Sequence, residues 1–136
     1  MIKIEERYTF KKEERVKGEK RVEAIFATGK SFISYPLRVV YLLHEQTTVA
    51  DCSILVSVPK KRIKKAVHRN RIKRLIRESY RLNKKLISPI EIGDKSIDVA
   101  FIYVKDTASN YIEIQKAMQK ALNQITIRIK KTEDSE

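Results

Sequence analysis

The chain has 136 residues, of which 42% are hydrophobic and 35% are charged, and its formal net charge is +13. That length fits one domain with its own core, and totals of three glycines and three prolines exclude a collagenous, linker-rich or low-complexity protein. The single cysteine, Cys52, rules out an internal disulfide framework and predicts a packing residue in a reducing compartment.

No stretch of the sequence has the continuous apolar character of a membrane span, which needs about 18 residues. Residues 1–12 also lack the apolar run of a signal peptide. We therefore expect a cytoplasmic protein with no membrane partner.

The N-terminal region predicts an arm followed by a short helix. Residues 1–17 are polar and charged, which favours an extended arm. After it, Val22, Ile25 and Phe26 recur at helical spacing, and Gly29 supplies a C-terminal stop. The helix is expected to bury one apolar stripe.

Two strands are predicted next. Phe32–Leu43 is rich in Val, Leu and aromatic residues and is broken only by Pro36, so it predicts one strand that is fully paired after the proline. Ser53–Val58 predicts a second strand, which ends at Pro59. Because the connection has the length of a hairpin loop, we expect the two strands to pair antiparallel.

Residues 67–87 are predicted to form the longest helix, which has one apolar and one polar face. At 100° per residue, the apolar and small side chains fall on one side: Ile72, Leu75, Ile76, Ser79, Leu82 and Leu86. The polar side chains fall on the other: Asn70, Lys73, Arg74, Arg77, Arg81 and Lys84. One face is expected to pack on a sheet and the other to meet a ligand.

The remaining elements complete an α+β domain. Ile97–Val104 is apolar enough for a central strand, and Tyr111–Ile129 predicts a closing amphipathic helix. The order α-β-β-α-β-α predicts a single-domain α/β sandwich over 18–130, with helices against a small sheet and a frayed tail at 131–136.

The positive charge is concentrated in one segment of the chain. The 26 residues from Lys60 to Lys85 hold 13 of the 30 Lys and Arg residues and one acid, Glu78, whereas the rest of the chain is nearly neutral. A dense polyanion is the natural counterpart of such a segment, and nucleic acid is the first candidate. The alternative is a solvated helix face without a partner, although such faces usually intersperse acidic residues.

The sequence predicts no catalytic residues. His44 and His68 lie far apart and fit no metal-ligand spacing, so His68 is expected to be a surface residue or an RNA contact. The carboxylates in or beside loops form no pair at helical spacing and are expected to be solvated turn residues: Asp51, Glu91, Asp94 and Asp98. No glycine-rich phosphate loop is present.

One motif in the basic segment carries a family resemblance. It is built from Ala66, Val67, Arg69, Asn70, Arg71, Lys73, Arg74, Arg77 and Glu78. This motif resembles the RNR signature of the bacterial ribonuclease P protein subunit, and residues 25–31 and 36–41 resemble the family's first-helix ending and first strand. The resemblance covers about residues 12–127.

The resemblance implies a ribosomal-protein-S5-domain-2-like fold with an unusual left-handed βαβ crossover. It also implies a subunit of an endoribonuclease that removes the 5′ leader of precursor tRNA, with catalysis and Mg²⁺ in the RNA subunit. The implied partners are the catalytic RNA and precursor tRNA, and we expect a monomer that joins one RNA.

Residue roles follow from the same resemblance and the surrounding charge. The expected contacts to the RNA subunit are Lys60, Lys61, Arg62, Lys65, Arg69, Asn70, Arg71, Lys73, Arg74, Arg77 and Arg81. Phe26, Tyr35 and Tyr41 are expected in a leader cleft, where aromatic rings stack on single-stranded bases. Phe26 has core packing as an alternative role, because it lies on the apolar stripe of its helix.

Two other classes of protein also contain a basic helix. A different structured-RNA binder, such as a ribosomal protein, has similar charge and size but does not require this Arg-Asn-Arg spacing. A DNA-binding regulator could read the major groove with residues 67–84, but such proteins usually dimerise through an apolar face that this helix needs for its own sheet.

Overall fold

The computed structural model describes residues 14–45, 52–87 and 95–134, with side chains described through Lys131. The helices are α1 (Glu19–Thr28), α2 (Ala66–Asn83) and α3 (Tyr111–Asp134), and a 3₁₀ turn, Lys84–Leu86, extends α2. The strands are β1 (Lys30–Ser34), β2 (Leu37–Glu45), β3 (Cys52–Ser57) and β4 (Lys95–Tyr103). The predicted α+β class is therefore confirmed. No helix within these ranges is long and apolar enough to cross a membrane.

The segment predicted as one strand forms two. β1 and β2 make an antiparallel hairpin in which Ser34 is opposite Leu37, and Tyr35 and Pro36 form the turn between them. The prediction of one strand through Pro36 was wrong. A proline has no N–H for the ladder, and it is readily accommodated in a turn, where that donor is not needed.

The expected antiparallel pair of β2 and β3 was also wrong. The sheet order is β1-β2-β4-β3, so β4 lies between them, antiparallel to β2 and parallel to β3. A short connection makes a hairpin possible but does not fix the partner. β4 is buried along nearly its whole length, and its central place agrees with the prediction from its apolar sequence. Helix α2 makes the crossover between the parallel strands β3 and β4.

The two faces of the sheet carry unequal cores. On one face, α2 and α3 cover alternate strand residues such as Val39, Val99 and Phe101. On the other face, the smaller helix α1 inserts Ile25 against Val40 and Ala100. As predicted, Gly29 ends α1; its N–H donates to the Ile25 carbonyl over 2.8 Å.

The last residues of the predicted arm belong to the folded domain. The Val16 N–H donates to the Ile54 carbonyl of β3 over 2.9 Å, and Arg15 forms a parallel bridge with the same residue. Lys84 Nζ lies 2.9 Å from a carboxylate oxygen of Glu14, and both side chains are largely buried. Residues 14–16 are thus attached to the outer edge of β3 and to the end of α2.

The C-terminal ends of α2 and α3 differ from the sequence predictions by several residues, whereas the ends of β3 and β4 differ by one or two. Helix α2 ends at Asn83 and continues as a 3₁₀ turn, and α3 runs past the predicted end at Ile129 to Asp134. The described domain therefore continues into the predicted tail at 131–136. Residues 1–13 of the predicted arm, and the candidate carboxylates Asp51, Glu91 and Asp94, lie outside the described residues.

Candidate nucleic-acid interface

Helix α2 has the two faces that its sequence predicts. Ile72, Ile76 and Ser79 are buried as expected, and Leu75 and Leu82 are half-buried. Tyr80 and Asn83 join the buried side, which the apolar pattern did not indicate. The Asn83 amide is satisfied there, because it donates to the Ser79 carbonyl and accepts from Gln119 of α3.

The opposite side of α2 is cationic and reaches solvent. Asn70, Arg71 and Arg74 are exposed, whereas Lys73 and Arg77 are half-buried. Among the described residues, none of the four cations forms an ion pair with an acidic side chain. Their charge is therefore uncompensated within this part of the protein and available to a polyanion.

The loop before α2 adds exposed positive charge. Lys60, Lys61 and Lys65 are exposed, and Arg62 lies 3.1 Å from Asp106 in an exposed pair. An exposed pair of this kind is worth little, so Arg62 can exchange Asp106 for a phosphate at small cost.

Arg69 holds this loop against the helix. Its guanidinium donates to the Ile63 carbonyl over 3.1 Å and to the Lys64 carbonyl over 2.6 Å. The first arginine of the motif therefore positions the loop that bears the lysines. A guanidinium has five N–H groups, so Arg69 keeps donors for a further hydrogen bond to a ligand.

Arg15 turns this face into a cleft. The basic cleft has a volume of about 400 Å³ and is lined by Arg15, Asn70, Arg74, Arg77, Glu78 and Arg81. Burial, and then the charge of Arg15, lower the pKa of Arg77 from its ordinary value. Like charges held this close repel one another, and a bound anion relieves that repulsion.

Glu78 compensates only part of the positive charge of the basic cleft. Its carboxylate accepts two hydrogen bonds from Arg81, of 3.0 and 2.5 Å, and the bond from Arg81 lowers the pKa of Glu78. Arg81 is therefore partly engaged, whereas Arg74 and Arg77 face the cleft without an acidic partner among the described residues. The sequence analysis missed Arg15, because only the non-local bridge to Ile54 brings it to α2.

The three predicted cleft aromatics do not form one group. Phe26 is 47% exposed, so the core-packing alternative fails and Ile25 fills the core instead. Tyr35 is 61% exposed in the β1–β2 turn. Tyr41 is only 5% exposed and belongs to the core under α2 and α3, with its ring edge-on to Phe32. Its neighbour Val40 points to α1, so Tyr41 lies on the other face of the sheet from that helix and presents no ring to a ligand beside Phe26.

Three titratable residues outside the basic face have contacts within the fold. Asp98, expected as a solvated turn residue, is 3% exposed in β4 and accepts two hydrogen bonds from Arg21 of α1. His44 Nε2 lies 3.1 Å from the same carboxylate, whereas His68 is exposed on α2. Cys52 is half-buried against the main core, near the Tyr80 hydroxyl. No group of three His, Cys, Asp or Glu residues in the described ranges could hold a metal ion.

The fold and the basic cleft define a small α+β protein with a cationic helix face. The ribonuclease P family model matches residues 10–126. The ribonuclease P protein component of Porphyromonas gingivalis W83 is 45% identical over 116 residues, which are 84% of each chain. A Staphylococcus aureus RNase P protein structure at 25% identity has a TM-score of 0.61 and covers 82% of this chain and 94% of that chain. The RNase P protein from Thermotoga maritima, at 24% identity, shares the fold with a TM-score of 0.65, covering 82% and 96%.

The chain belongs to the ribonuclease P protein family. Membership gives it a role in tRNA 5′ processing, as the protein component of an endoribonuclease complex that has an RNA subunit. The resemblance read from the Arg69–Asn70–Arg71 motif is thereby confirmed at the level of the family.

Proposed function

We propose that this protein binds the catalytic RNA of ribonuclease P through the exposed face of α2 and assists Mg²⁺-dependent removal of the 5′ leader from precursor tRNA. The observation that carries the proposal is the basic cleft, where Arg74 and Arg77 lie beside Arg15 and form no ion pair with an acidic side chain of the described residues. Each phosphate bound there releases condensed counterions, which drives association. Asn70, exposed in the same cleft, adds a neutral group that can bond a phosphate, a 2′-hydroxyl or a base edge.

The residues of the interface divide into two kinds. Some reach solvent and hold no other part of the described structure through an ion pair, and these are proposed to contact RNA directly: Lys60, Lys61, Lys65, Asn70, Arg71, Lys73, Arg74 and Arg77. Others also hold the protein's own structure, namely Arg62 on Asp106, Arg69 on the loop carbonyls and Arg81 on Glu78. The second kind binds RNA and shapes the surface at once.

For the leader, Phe26 offers an exposed ring on α1 that can stack on single-stranded bases. Tyr35 offers a second ring at the hairpin turn, whereas the burial of Tyr41 removes it from this role. We place Mg²⁺ mainly in the RNA subunit, as the family resemblance implies. The protein acts in the cytoplasm as a monomer, one per RNA.

The test is cleavage of a precursor tRNA by a cognate ribonuclease P RNA at low Mg²⁺, with and without the protein. The RNA alone is expected to be nearly silent, because unscreened phosphates oppose assembly and substrate docking. Added protein is expected to restore cleavage at the mature 5′ end. Failure of restoration, together with equally tight binding to unrelated RNAs or to duplex DNA, contradicts the proposal and favours a general nucleic-acid binder.

A charge-matched pair of variants connects that activity to the basic cleft. Replacing Arg74 and Arg77 by Ala is expected to weaken RNA binding and to flatten the plot of log K against log salt by roughly 0.7–0.9 per lost contact. Replacing Lys17 and Lys20, two exposed cations outside the cleft, removes the same charge and is expected to change the slope little. Equal slopes for the two variants would show that only net charge matters.

A further inference from the structure

A second cleft lies at the far edge of the sheet, between the β1–β2 hairpin and α3. This β1–α3 groove has a volume of about 700 Å³. Its hairpin wall contains Phe32, Ile33 and Tyr35, and its helical wall contains Lys120, Ile127 and Arg128. Buried Ser34 fixes one wall to the other, because its hydroxyl donates to the Ala117 carbonyl of α3 over 2.7 Å.

The groove presents apolar and aromatic surface to solvent. Ile33 and Tyr35 are each 61% exposed and Ile127 is 50% exposed, which makes them three of the most exposed large apolar side chains in the described protein. The Arg128 guanidinium lies 4.7 Å from the centre of the Phe32 ring. Together these groups form a floor on which a planar ring can stack.

Polar groups of the helical wall complement such a ring. Asn123 and Gln124 line the same groove with side-chain amides, which both donate and accept hydrogen bonds. Lys120 forms no ion pair with any described acidic residue. The groove therefore holds a stacking surface, amides that suit base edges and a cation that suits a phosphate.

Both walls also come from parts of the chain without acidic residues. None occurs from Ala24 to His44 or from Ile114 to Lys131, and the second range contains five cations. Outside residues 60–85 the chain is nearly neutral as a whole, but its acidic residues lie outside these two ranges. The two ranges therefore have a local excess of positive charge. An anionic occupant is favoured at this edge.

The groove is separate from the basic cleft. Strand order places β1 at one edge of the sheet and β3, which carries Arg15, at the other. Three strand spacings set these edges about 14 Å apart. One nucleotide cannot occupy both sites, so the groove needs an occupant of its own.

We infer that the β1–α3 groove is a second RNA-binding surface, which takes a short single-stranded stretch with one base stacked beside Tyr35 and its phosphate on Lys120. An exposed ring, amides and the cationic side chain of Lys120 together match an unstacked nucleotide. An acidic peptide would pair with the cations but would leave the exposed ring without a stacking partner. An amphipathic helix would cover the apolar residues but would place apolar side chains against the polar wall. The inference does not rest on the proposed role of α2.

The test measures binding of fluorescein-labelled hexauridylate and hexaadenylate by anisotropy, using the full chain with Arg74→Ala and Arg77→Ala to weaken the basic cleft. In that background, Tyr35→Ala is expected to lower affinity about tenfold, the scale of one lost base stack. Lys120→Ala is expected to lower affinity and the salt dependence. The matched control is Lys130→Ala, which removes an exposed cation of α3 outside the groove lining.

Amide NMR of the same complex locates the oligonucleotide. Shifts at Ile33, Tyr35, Asn123 and Ile127 support the groove, whereas shifts confined to α2 overturn it. Equal affinities for the Lys120 and Lys130 variants also overturn it. A dimer detected by sedimentation, in which Tyr35 is buried, overturns it as well. Low-Mg²⁺ cleavage with unmodified α2 is scored separately, so failure of the groove and failure of the proposed function remain distinguishable.

Discussion

At the residue scale, the arginines of α2 are not equivalent. Arg69 holds the loop carbonyls of Ile63 and Lys64, and Arg81 holds Glu78, whereas Arg74 faces the basic cleft without such a bond among the described residues. Their spacing in the sequence predicts one uniform cationic stripe. The contacts instead divide it into residues that shape the surface and residues that form no such bond among the described residues.

Tyr80 gives a residue-scale prediction for alkaline pH. Burial raises the pKa of its phenol well above the ordinary value, and the neighbouring Cys52 and Glu14 act in the same direction. The pKa of Tyr80 is higher in the folded state than in the unfolded state. The contribution of the neutral, buried phenol to stability is therefore fully present below about pH 10 and is lost as pH rises further. The free energy of unfolding of the parent chain is expected to fall more steeply above pH 10 than that of Tyr80→Phe, by at most about 1.4 kcal/mol per pH unit.

Urea unfolding between pH 9 and 11 measures this difference. The control is Tyr35→Phe, which removes an exposed hydroxyl and is expected to keep the parent slope. Parallel pH curves for the parent and Tyr80→Phe would mean that the buried phenol does not couple ionisation to folding.

At the element scale, α1 is held to the sheet by few contacts, of which one is an ion pair. Ile25 supplies its fully buried side chain, and Arg21 supplies two hydrogen bonds, of 3.2 and 2.7 Å, to Asp98 of β4. The carboxylate is almost fully enclosed, whereas Arg21 keeps about a third of its surface in water. The attachment of α1 therefore depends on satisfying a buried charge.

Replacing Arg21 by Met tests that attachment. The substitution keeps much of the apolar stem but leaves the Asp98 carboxylate with only the His44 ring beside it among the ion pairs of the described residues, so a loss of about 2 kcal/mol in unfolding free energy is expected. Lys20→Met, an exposed cation of the same helix, is expected to change stability by less than about 0.5 kcal/mol. Adding Asp98→Asn to the Arg21 variant should recover part of the loss; if it lowers stability further, the carboxylate has other favourable partners.

At the scale of the whole molecule, α2 joins the core to the nucleic-acid interface. Ile76 is fully buried in the main core, where α2 and α3 meet the same sheet face, while the basic cleft lies on the other side of α2. Packing and the proposed RNA binding thus use opposite faces of one helix. We therefore expect that stability and RNA affinity can be changed independently.

Ile76→Ala is expected to lower the unfolding free energy by about 2–5 kcal/mol, through lost burial and the cavity left behind. Circular dichroism and tyrosine fluorescence, usable because the chain has no tryptophan, should report one coincident urea transition. RNA affinity of the folded variant should match that of the parent chain. Separate transitions for the two signals would show that the two cores unfold independently.

Features that depend on neighbours along the chain could be predicted from the amino-acid sequence. The two faces of α2, the end of α1 at Gly29, the central character of β4 and the family motif at Arg69–Asn70–Arg71 are all local patterns. Helical periodicity and side-chain chemistry act over a few residues, so they can be read without a fold.

The contacts between distant segments could not be predicted from local patterns and are set by the packing of the whole domain. This packing inserted β4 between β2 and β3, turned Tyr41 into the core, brought Arg15 beside Arg77 and set the β1–β2 hairpin against α3 to make a groove. The physical reason is that strand pairing and helix docking depend on burial summed over the whole chain. Connection length and local pattern allow several partners, and the packing of both sheet faces selects one.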